Sequence, residues 1–188
     1  MRSIRLELRN GHFNIISGSE LNADDPHLPF LIYEENNTGS VVCRPDDGMP
    51  YDSRITIPEQ VTENVLITAS DASLSVFPVR TGTFVASLKN SSIELNSVTS
   101  RRISISLGNG NVFINAAPSI SADIDCGFGT VNLHLPKNKR GYFYDIEHGN
   151  GTVTLNSQPM PRKARRGSPD GVKITVRCGM GTVNIFEY

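Results

Sequence analysis

The chain has 188 residues, 38% of them hydrophobic, and its 18 Lys and Arg against 19 Asp and Glu leave a net charge of −1. This length is enough for one domain with its own core. The near-neutral charge excludes strong polyanion binding by the chain as a whole, which disfavours nucleic acid as a partner. With 16 Gly, 11 Pro and no Trp, the composition is typical of a β-rich globular protein.

The N-terminal residues alternate polar and apolar side chains from the start. Residues 1–8 contain no apolar run long enough for a signal peptide or a membrane span. We therefore expect a cytoplasmic protein, or a secreted one if a leader has been removed. Cys43, Cys126 and Cys178 are odd in number and widely spaced, which favours a reducing compartment over a disulfide framework.

The first half of the chain carries degenerate copies of a short repeat. In each copy a small residue stands at a corner and alternating apolar positions follow it, which indicates a strand after the corner. The corner residues that we assign to these copies are Gly11, Gly39, Ala72 and Ser91.

The second half repeats one motif, Gly-x-Gly-[Thr/Asn]-Val-x-[Ile/Leu], four times. Glycine reaches positive φ without penalty and leaves room for neighbouring backbone, so we interpret each copy as a sharp corner between two strands. Successive corners along the chain are 28, 33, 19, 19, 19, 22 and 30 residues apart, which gives a basic unit of 19 residues. The corner glycines are Gly108, Gly110, Gly127, Gly129, Gly149, Gly151, Gly179 and Gly181.

This frame predicts an all-β fold: a single-stranded parallel β-solenoid (β-helix) of about eight rungs, forming one domain over residues 1–188. Residues 1–64 would form irregular rungs with long loops, and residues 65–188 regular rungs with a loop insertion at 157–171. Stacking should place Val112, Val131, Val153 and Val183 in one inward ladder. An antiparallel sandwich or barrel with many short strands is the alternative.

The units that begin at Gly127, Gly149 and Gly179 resemble the bacterial β-strand-repeat domains of unknown function that are often described as adhesin-like. The resemblance covers about residues 65–188 and includes the alternating strands beside each corner. It implies a stacked β-coil with no cofactor and no catalytic residues. Members of that family are commonly exported or tethered to a membrane.

Insertions and charges are unevenly distributed. Every departure from the 19-residue unit is expected at the second corner of the unit, with insertions at 17–29, 44–60, 137–141 and 157–171 along one edge. Residues 1–88 carry 12 acids and 6 bases (−6), and residues 89–188 carry 7 acids and 12 bases (+5). Because chain position follows the axis of a solenoid, we expect an acidic end and a basic end that attract each other.

Basic residues cluster along the looped edge, and two interpretations of them stay open. They form an anion-binding edge for a phosphorylated partner, a lipid surface or nucleic acid, or they are ordinary solvated loops. The anion-binding candidates are Arg101, Arg102, Lys137, Lys139, Arg140, Arg162, Lys163, Arg165 and Arg166.

Cys126, His148 and Cys178 fall in one column of the predicted solenoid. Stacking in chain order would set the two cysteines ~9.6 Å apart, beyond disulfide range, and no fourth zinc ligand is evident. We therefore expect these three residues to pack in the core, with no metal site and no cofactor.

The remaining candidate catalytic groups are interpreted as solvent-facing. Asp123 and Asp125 share a strand face, as paired carboxylates of a glycosidase would, but both should point outward. His12, His27 and His134 have no Ser, Cys or Asp at a meaningful spacing, and the Gly-x-Gly corners lack the following helix of a dinucleotide site. No catalytic residue is predicted.

The sequence therefore favours a non-enzymatic structural or interaction module. No terminal cap is visible in the repeat pattern, so the module is expected to self-associate head to tail as a homo-oligomer or to dock a protein partner. Binding of an anionic ligand through the basic edge is the first alternative. A carbohydrate-active β-helix is the second, and it rests on fold analogy alone.

Overall fold

The computed structural model of the chain describes residues 2–24, 30–43, 51–58 and 63–188. These residues form β-strands joined by turns and include no helix, so the predicted all-β class is confirmed. Within the same residues there is consequently no helix that is long and apolar enough to cross a bilayer. His27 lies outside the described residues, as do residues 25–29 of the predicted insertion 17–29 and residues 44–50 and 59–60 of the predicted insertion 44–60.

Most strands alternate buried and exposed side chains, as expected where one face of a sheet covers the core. All of them belong to one sheet. In chain order the strands are β1 (Ser3–Gly18), β2 (Asn22–Ala23), β3 (Phe30–Glu35), β4 (Thr38–Cys43), β5 (Tyr51–Pro58), β6 (Asn64–Val76), β7 (Val79–Lys89), β8 (Ser92–Leu107), β9 (Asn111–Cys126), β10 (Thr130–Leu135), β11 (Tyr142–His148), β12 (Thr152–Leu155), β13 (Gln158–Pro159), β14 (Lys163–Gly167), β15 (Val172–Cys178) and β16 (Thr182–Glu187).

The strands form two long parallel ladders, and the long strands β1, β6, β8 and β9 contribute to both. The first ladder contains the segments before each corner, in the spatial order β4, β1, β6, β7, β8, β9, β15, β11. The second contains the segments after each corner, in the order β5, β1, β6, β8, β9, β10, β16, β12. Both ladders are parallel throughout, which contradicts the antiparallel sandwich alternative.

Chain order and spatial order differ at both ends of the sheet. At one end β4 and β5 lie outside β1, although they follow it in the chain. At the other end β15 lies between β9 and β11, and β16 lies between β10 and β12, although both follow β11 and β12 in the chain. The strict chain-order stacking that the sequence suggested is therefore wrong at both ends.

The predicted valine ladder shows this exchange directly. Val112, Val131, Val153 and Val183 do lie in one register and are at most 1% exposed, but Val183 stands between Val131 and Val153. The column is continuous with Ile93, which pairs with Val112. Inward apolar residues of both ladders belong to one contiguous core.

Antiparallel strands cover both ends of the ladders. At one end β3 pairs with β4 and β2 pairs with β5, and at the other end β14 pairs with β11 and β13 pairs with β12. The ladders therefore do not end in parallel strands as the repeat pattern suggested, and the added antiparallel strands β3 and β14 are themselves edges of the sheet. The insertion at 157–171 contains β13 and β14 rather than a plain loop, because the chain reverses there and adds a strand to each ladder.

Gly39 is not a corner, contrary to the sequence interpretation. It pairs with Ile4 in the ladder that precedes the corner, while Tyr51 pairs with the corner residue Gly11. Residues 51–58, which were predicted to lie in an insertion at the second corner, instead form β5 and pair with the part of β1 that follows its corner.

A third and shorter set of parallel pairs joins the middle strands. Val79, Val98 and Ala116 pair in register, and all three are buried. Between β8 and β9 the register shifts on both sides of this segment. The sequence interpretation assigned only two strands to each unit and missed this one.

The corner at Gly110 requires glycine for two reasons. Its φ is +133°, a conformation that residues with a side chain rarely adopt. A Cβ atom there would lie 2.0 Å from the carbonyl oxygen of Ser91, the corner residue just before β8. Gly129 repeats the arrangement one corner further on, with φ +110° and a Cβ 1.9 Å from the oxygen of Gly110.

Candidate interaction surfaces

The basic end of the sheet is formed by β14, which runs antiparallel to β11. Side chains at opposed positions share a face, so Lys163 and Arg165 lie over the two acids of β11. The Lys163 Nζ atom is 2.9 Å from Glu147 Oε1, and the Arg165 Nε atom is 3.5 Å from Asp145 Oδ1. These two bases are therefore partly neutralised within the chain.

Each of the two acids also contacts a base on its other side, in β15. Arg177 Nε lies 3.8 Å from Glu147 Oε2, and Lys173 Nζ lies 3.9 Å from Asp145 Oδ2. The hydrogen bond from Lys163, together with its charge, lowers the pKa of Glu147. Charges of alternating sign thus cross three neighbouring strands on this outer face.

The other side of β14 faces the end of the core. Arg166 is opposed to Tyr144 and borders a depression of about 450 Å³ that also includes Leu155 and Glu187. The Tyr144 hydroxyl donates a hydrogen bond to Glu187 Oε1 at 2.6 Å. Burial, followed by this bond, raises the pKa of Tyr144. Arg162, just before β14, is exposed.

The acidic end of the sheet is formed by β3. Leu31, Ile32 and Tyr33 are 66%, 42% and 49% exposed, and Glu34 and Glu35 are exposed beside them. Sequence reasoning missed this segment because it considered the flanking insertions, although three consecutive apolar residues before two acids are a visible signal. Such a run on an edge strand is a surface that can pair with another chain.

A shallow depression adjoins the acidic end. It measures about 470 Å³ and is bordered by Leu21, Ile32, Tyr33, Glu34 and Pro58, among others. Its lining combines apolar and acidic side chains. The depression therefore offers both apolar area and negative charge to a partner.

The structure divides the predicted anion-binding residues into two groups. Arg140 donates a hydrogen bond from Nη2 to the Ser119 carbonyl at 2.6 Å, and Arg102 is the register partner of Ser121, so these arginines lie near each other along the side of the sheet. The side group is Arg101, Arg102, Lys137, Lys139 and Arg140. The end group is Arg162, Lys163, Arg165 and Arg166.

The column of Cys126, Cys178 and His148 differs from the sequence expectation. Because β15 lies beside β9, Cys178 is the direct register partner of Cys126, and His148 follows Cys178. The predicted separation of the two cysteines by an intervening rung is therefore wrong. Across the described residues, no three His, Cys, Asp or Glu side chains are grouped so as to hold a metal ion.

The other candidate groups lie where they have little catalytic use. Asp123 and Asp125 are exposed and flank the buried Ile124, as expected from the strand alternation. His134 packs on the outer face between two aromatic rings, 5.0 Å from Phe113 and 4.9 Å from Phe186 between ring centroids. Neither site contains the base and nucleophile pair that covalent hydrolysis needs.

No protein-family model matches the chain, and no protein with curated annotation does so either. Among solved structures, the chain is similar to a putative cell adhesion protein from Clostridium sporogenes ATCC 15579. The TM-score is 0.53 at 15% identity, and the match covers 100% of this chain and 93% of that one. At this identity the likeness shows a shared fold, and it agrees loosely with the adhesin-like resemblance of the sequence.

Proposed function

We propose that the protein is a non-enzymatic β-solenoid of about eight rungs that acts as an interaction module, and that it binds a second copy of itself head to tail. The observation that carries this proposal is the pair of chemically opposite end strands. β3 presents Glu34 and Glu35 beside exposed apolar residues, and β14 with its flank presents Arg162 and Arg166. Both are outermost strands of the same ladder.

Head-to-tail contact follows from the direction of the strands. β3 and β14 each run antiparallel to the ladder they cover, so they point the same way along the sheet. A second copy shifted along the stack would bring its β14 beside β3 of the first copy. Because the two contact surfaces differ, repetition of this contact gives filaments or rings rather than a twofold dimer.

Charge supports the same pairing. Exchanges of strand order are confined to the ends, so the acid-rich first half and the base-rich second half still occupy opposite halves of the sheet. Lys163 and Arg165 already contact acids within the chain, so Arg162 and Arg166 are the basic residues of this segment that form no ion pair with the other described residues. We expect long-range attraction that weakens as salt shortens the Debye length from ~8 Å to ~3 Å.

The experiment combines two variants that should each block association alone and restore it together. Arg162→Glu/Arg166→Gln removes positive charge from the basic end, and Glu34→Lys/Glu35→Lys reverses the acidic end. Arg101→Glu/Arg102→Glu is the matched control, because it changes exposed basic charge at the side of the sheet. Thermal unfolding of each variant tests whether the fold is retained.

Light scattering over a range of concentrations measures the outcome. The wild type and the side control should increase in mass with concentration at low salt, and each end variant should stay monomeric. An equimolar mixture of the two end variants should associate again, because each variant retains the end strand that the other has lost. The altered ends also carry opposite charges, so they can extend the pair into longer assemblies. A wild type that is strictly monomeric at both low and high salt contradicts the proposal.

The side group of bases supports a second candidate function, the binding of an anionic partner. Arg102 and Arg140 approach the same stretch of β9, at Ser121 and Ser119, so their charges act together. Retention on immobilised heparin measures this property: Arg101→Gln/Arg102→Gln/Arg140→Gln should elute at lower salt, and Arg162→Gln/Arg166→Gln should not. Equal elution of both variants would exclude a side-specific anion site.

A further inference from the structure

Cys126 and Cys178 occupy directly opposed positions in neighbouring parallel strands. They are register partners in the pairing of β9 with β15, and they are 0% and 4% exposed. The Cys126 thiol donates a hydrogen bond to the Gly129 carbonyl at 3.9 Å, and the two thiols lie close enough that each affects the pKa of the other. Neighbouring strands of a sheet lie ~4.8 Å apart, within the ~4.4–6.8 Å Cα separation that disulfides span.

We propose that Cys126 and Cys178 form an intramolecular disulfide that joins β9 to β15 when the protein encounters a disulfide oxidant such as glutathione disulfide. The proposal does not depend on self-association or on any partner. It concerns two side chains that the fold brings together although 51 residues separate them in the sequence.

The reaction balances as two thiol–disulfide exchanges. The thiolate of one cysteine attacks glutathione disulfide, forms a mixed disulfide and releases one glutathione thiolate. The second cysteine loses its proton and attacks the protein sulfur of the mixed disulfide, which releases the second glutathione. Two protein thiols are oxidised to one disulfide, and glutathione disulfide is reduced to two glutathione molecules.

The neighbouring corners leave space for the two sulfur atoms. A Cβ atom at Gly181 would lie 2.8 Å from Cys126 Sγ, and a Cβ at Gly151 would lie 2.9 Å from Cys178 Sγ. Gly181 belongs to the corner after Cys178, so the Cys126 sulfur is directed toward the strand of its partner. Gly151 belongs to the corner after β11, so the Cys178 sulfur is directed toward β11, and bridging requires the Cys178 side chain to rotate toward Cys126. The thiol of Cys43 lies far along the same ladder, in β4, where its register partner is Leu8.

Burial controls when the reaction proceeds. It raises the pKa of Cys126 to about 11 and also raises the pKa of Cys178, so little thiolate is present at neutral pH in the folded state. Oxidation is therefore expected to be slow in the folded protein and faster during folding. In a reducing compartment the pair stays reduced, and in an oxidising one it is bridged.

Formation of the disulfide would also test the spatial order of the strands. If β11 lay between β9 and β15, as chain order would have it, the two cysteines would be ~9.6 Å apart and could not be joined without moving the backbone. Bridging requires β15 to lie directly against β9. The bond would then hold in place one of the strand pairs at this end that are out of chain order.

The test starts from reduced, unfolded protein and refolds it in a glutathione redox buffer, with folded protein in the same buffer as a parallel sample. Free thiols are alkylated, and the digest is analysed by mass spectrometry without reduction. We expect a Cys126–Cys178 linked peptide pair after refolding, with Cys43 alkylated. The bridge should raise Tm by about 5–15 °C relative to the reduced protein.

Single variants provide the controls. Cys43→Ser should retain the linked peptides, and Cys126→Ser and Cys178→Ser should each lose them. Peptide mapping of the wild type does not depend on whether these variants fold. Alkylation of all three cysteines after oxidative refolding, or a link that involves Cys43, would overturn the proposal.

Discussion

Replacement of Gly110 by alanine should destabilise the protein far more than the same replacement at Gly108, two residues earlier in the same corner. A Cβ at Gly110 meets the Ser91 oxygen at 2.0 Å, and φ there is +133°. A Cβ at Gly108 meets its nearest atom, the Leu88 oxygen, at an ordinary 3.5 Å, and the φ of Gly108 is not positive. Both variants add the same methyl group, and they differ only in the space and the backbone conformation at the substituted position.

The magnitude follows from two costs at Gly110. Holding a residue with a side chain in a sparsely populated φ/ψ region costs ~1–3 kcal/mol, and the backbone shift that relieves the overlap costs a further ~1–3 kcal/mol. The sum has a midpoint of ~4 kcal/mol. For a chain of this size each kcal/mol lowers Tm by ~2–4 °C, so Gly110→Ala should lower Tm by ~8–16 °C.

Urea and thermal unfolding followed by circular dichroism measure both variants. Gly108→Ala should stay within ~1 kcal/mol of the wild type, because its new methyl group makes only van der Waals contact. Equal stability of the two variants would refute the reasoning. It would mean that the corner backbone moves freely enough to accept a side chain at either glycine.

Three further predictions concern single side chains. Glu147→Gln should lower stability at neutral pH but not in acid. Lys163 lowers the pKa of Glu147 in the folded state, so the stabilisation by this carboxylate is present above pH ~4.5 and is lost as pH falls. Urea unfolding midpoints of the variant and the wild type at pH ~7 and pH ~3 measure this difference. Tyr142 has its pKa raised by burial to about 12, so the fold should lose stability as pH rises from ~10 to ~12, and Tyr142→Phe should make that loss shallower in alkaline unfolding. Ser91→Ala should cost ~1–3 kcal/mol in urea unfolding, because the buried Ser91 hydroxyl donates to the Lys89 carbonyl at 2.9 Å and accepts from the Ala72 amide at 3.2 Å.

The local features of the fold were accessible from the sequence because they depend on neighbouring residues. Alternation in β9 and β15 predicts which side chains face inward, and the Gly-x-Gly spacing predicts where the chain bends. Val112 and Val131 are adjacent in space because the 19-residue unit between them has no insertion. Where the unit is regular, chain order and spatial order agree.

The order of strands at the two ends was not accessible, because every ladder segment presents the same inward pattern. Val153 and Val183 carry equivalent neighbours, so either one fits beside Val131. The choice depends on how the chain between them reverses through β13 and β14. Gly39 was misassigned for a related reason, since a small residue before apolar positions looks the same inside a strand as at a corner.

The basic end of the sheet could also be predicted only in part from the sequence. The basic run at residues 162–166 is visible in the sequence, and its place at an end of the sheet agrees with the predicted basic end. The neutralisation of Lys163 and Arg165 was not visible, because Glu147 and Asp145 become their neighbours only through the antiparallel return of β14. Within that run, Arg162 and Arg166 are the basic residues that form no ion pair with the rest of the described chain.

The exchanged strand order also has a mechanical consequence. β1 is hydrogen-bonded on both sides, to β4 and β5 and to β6, and β16 is likewise held between β10 and β12. A pulling force transmitted through the first and last strands must shear the hydrogen bonds on both sides of each strand at once, rather than peel one strand from an edge. These two strands should therefore rank among the slowest to exchange their amide protons and among the last to yield under load.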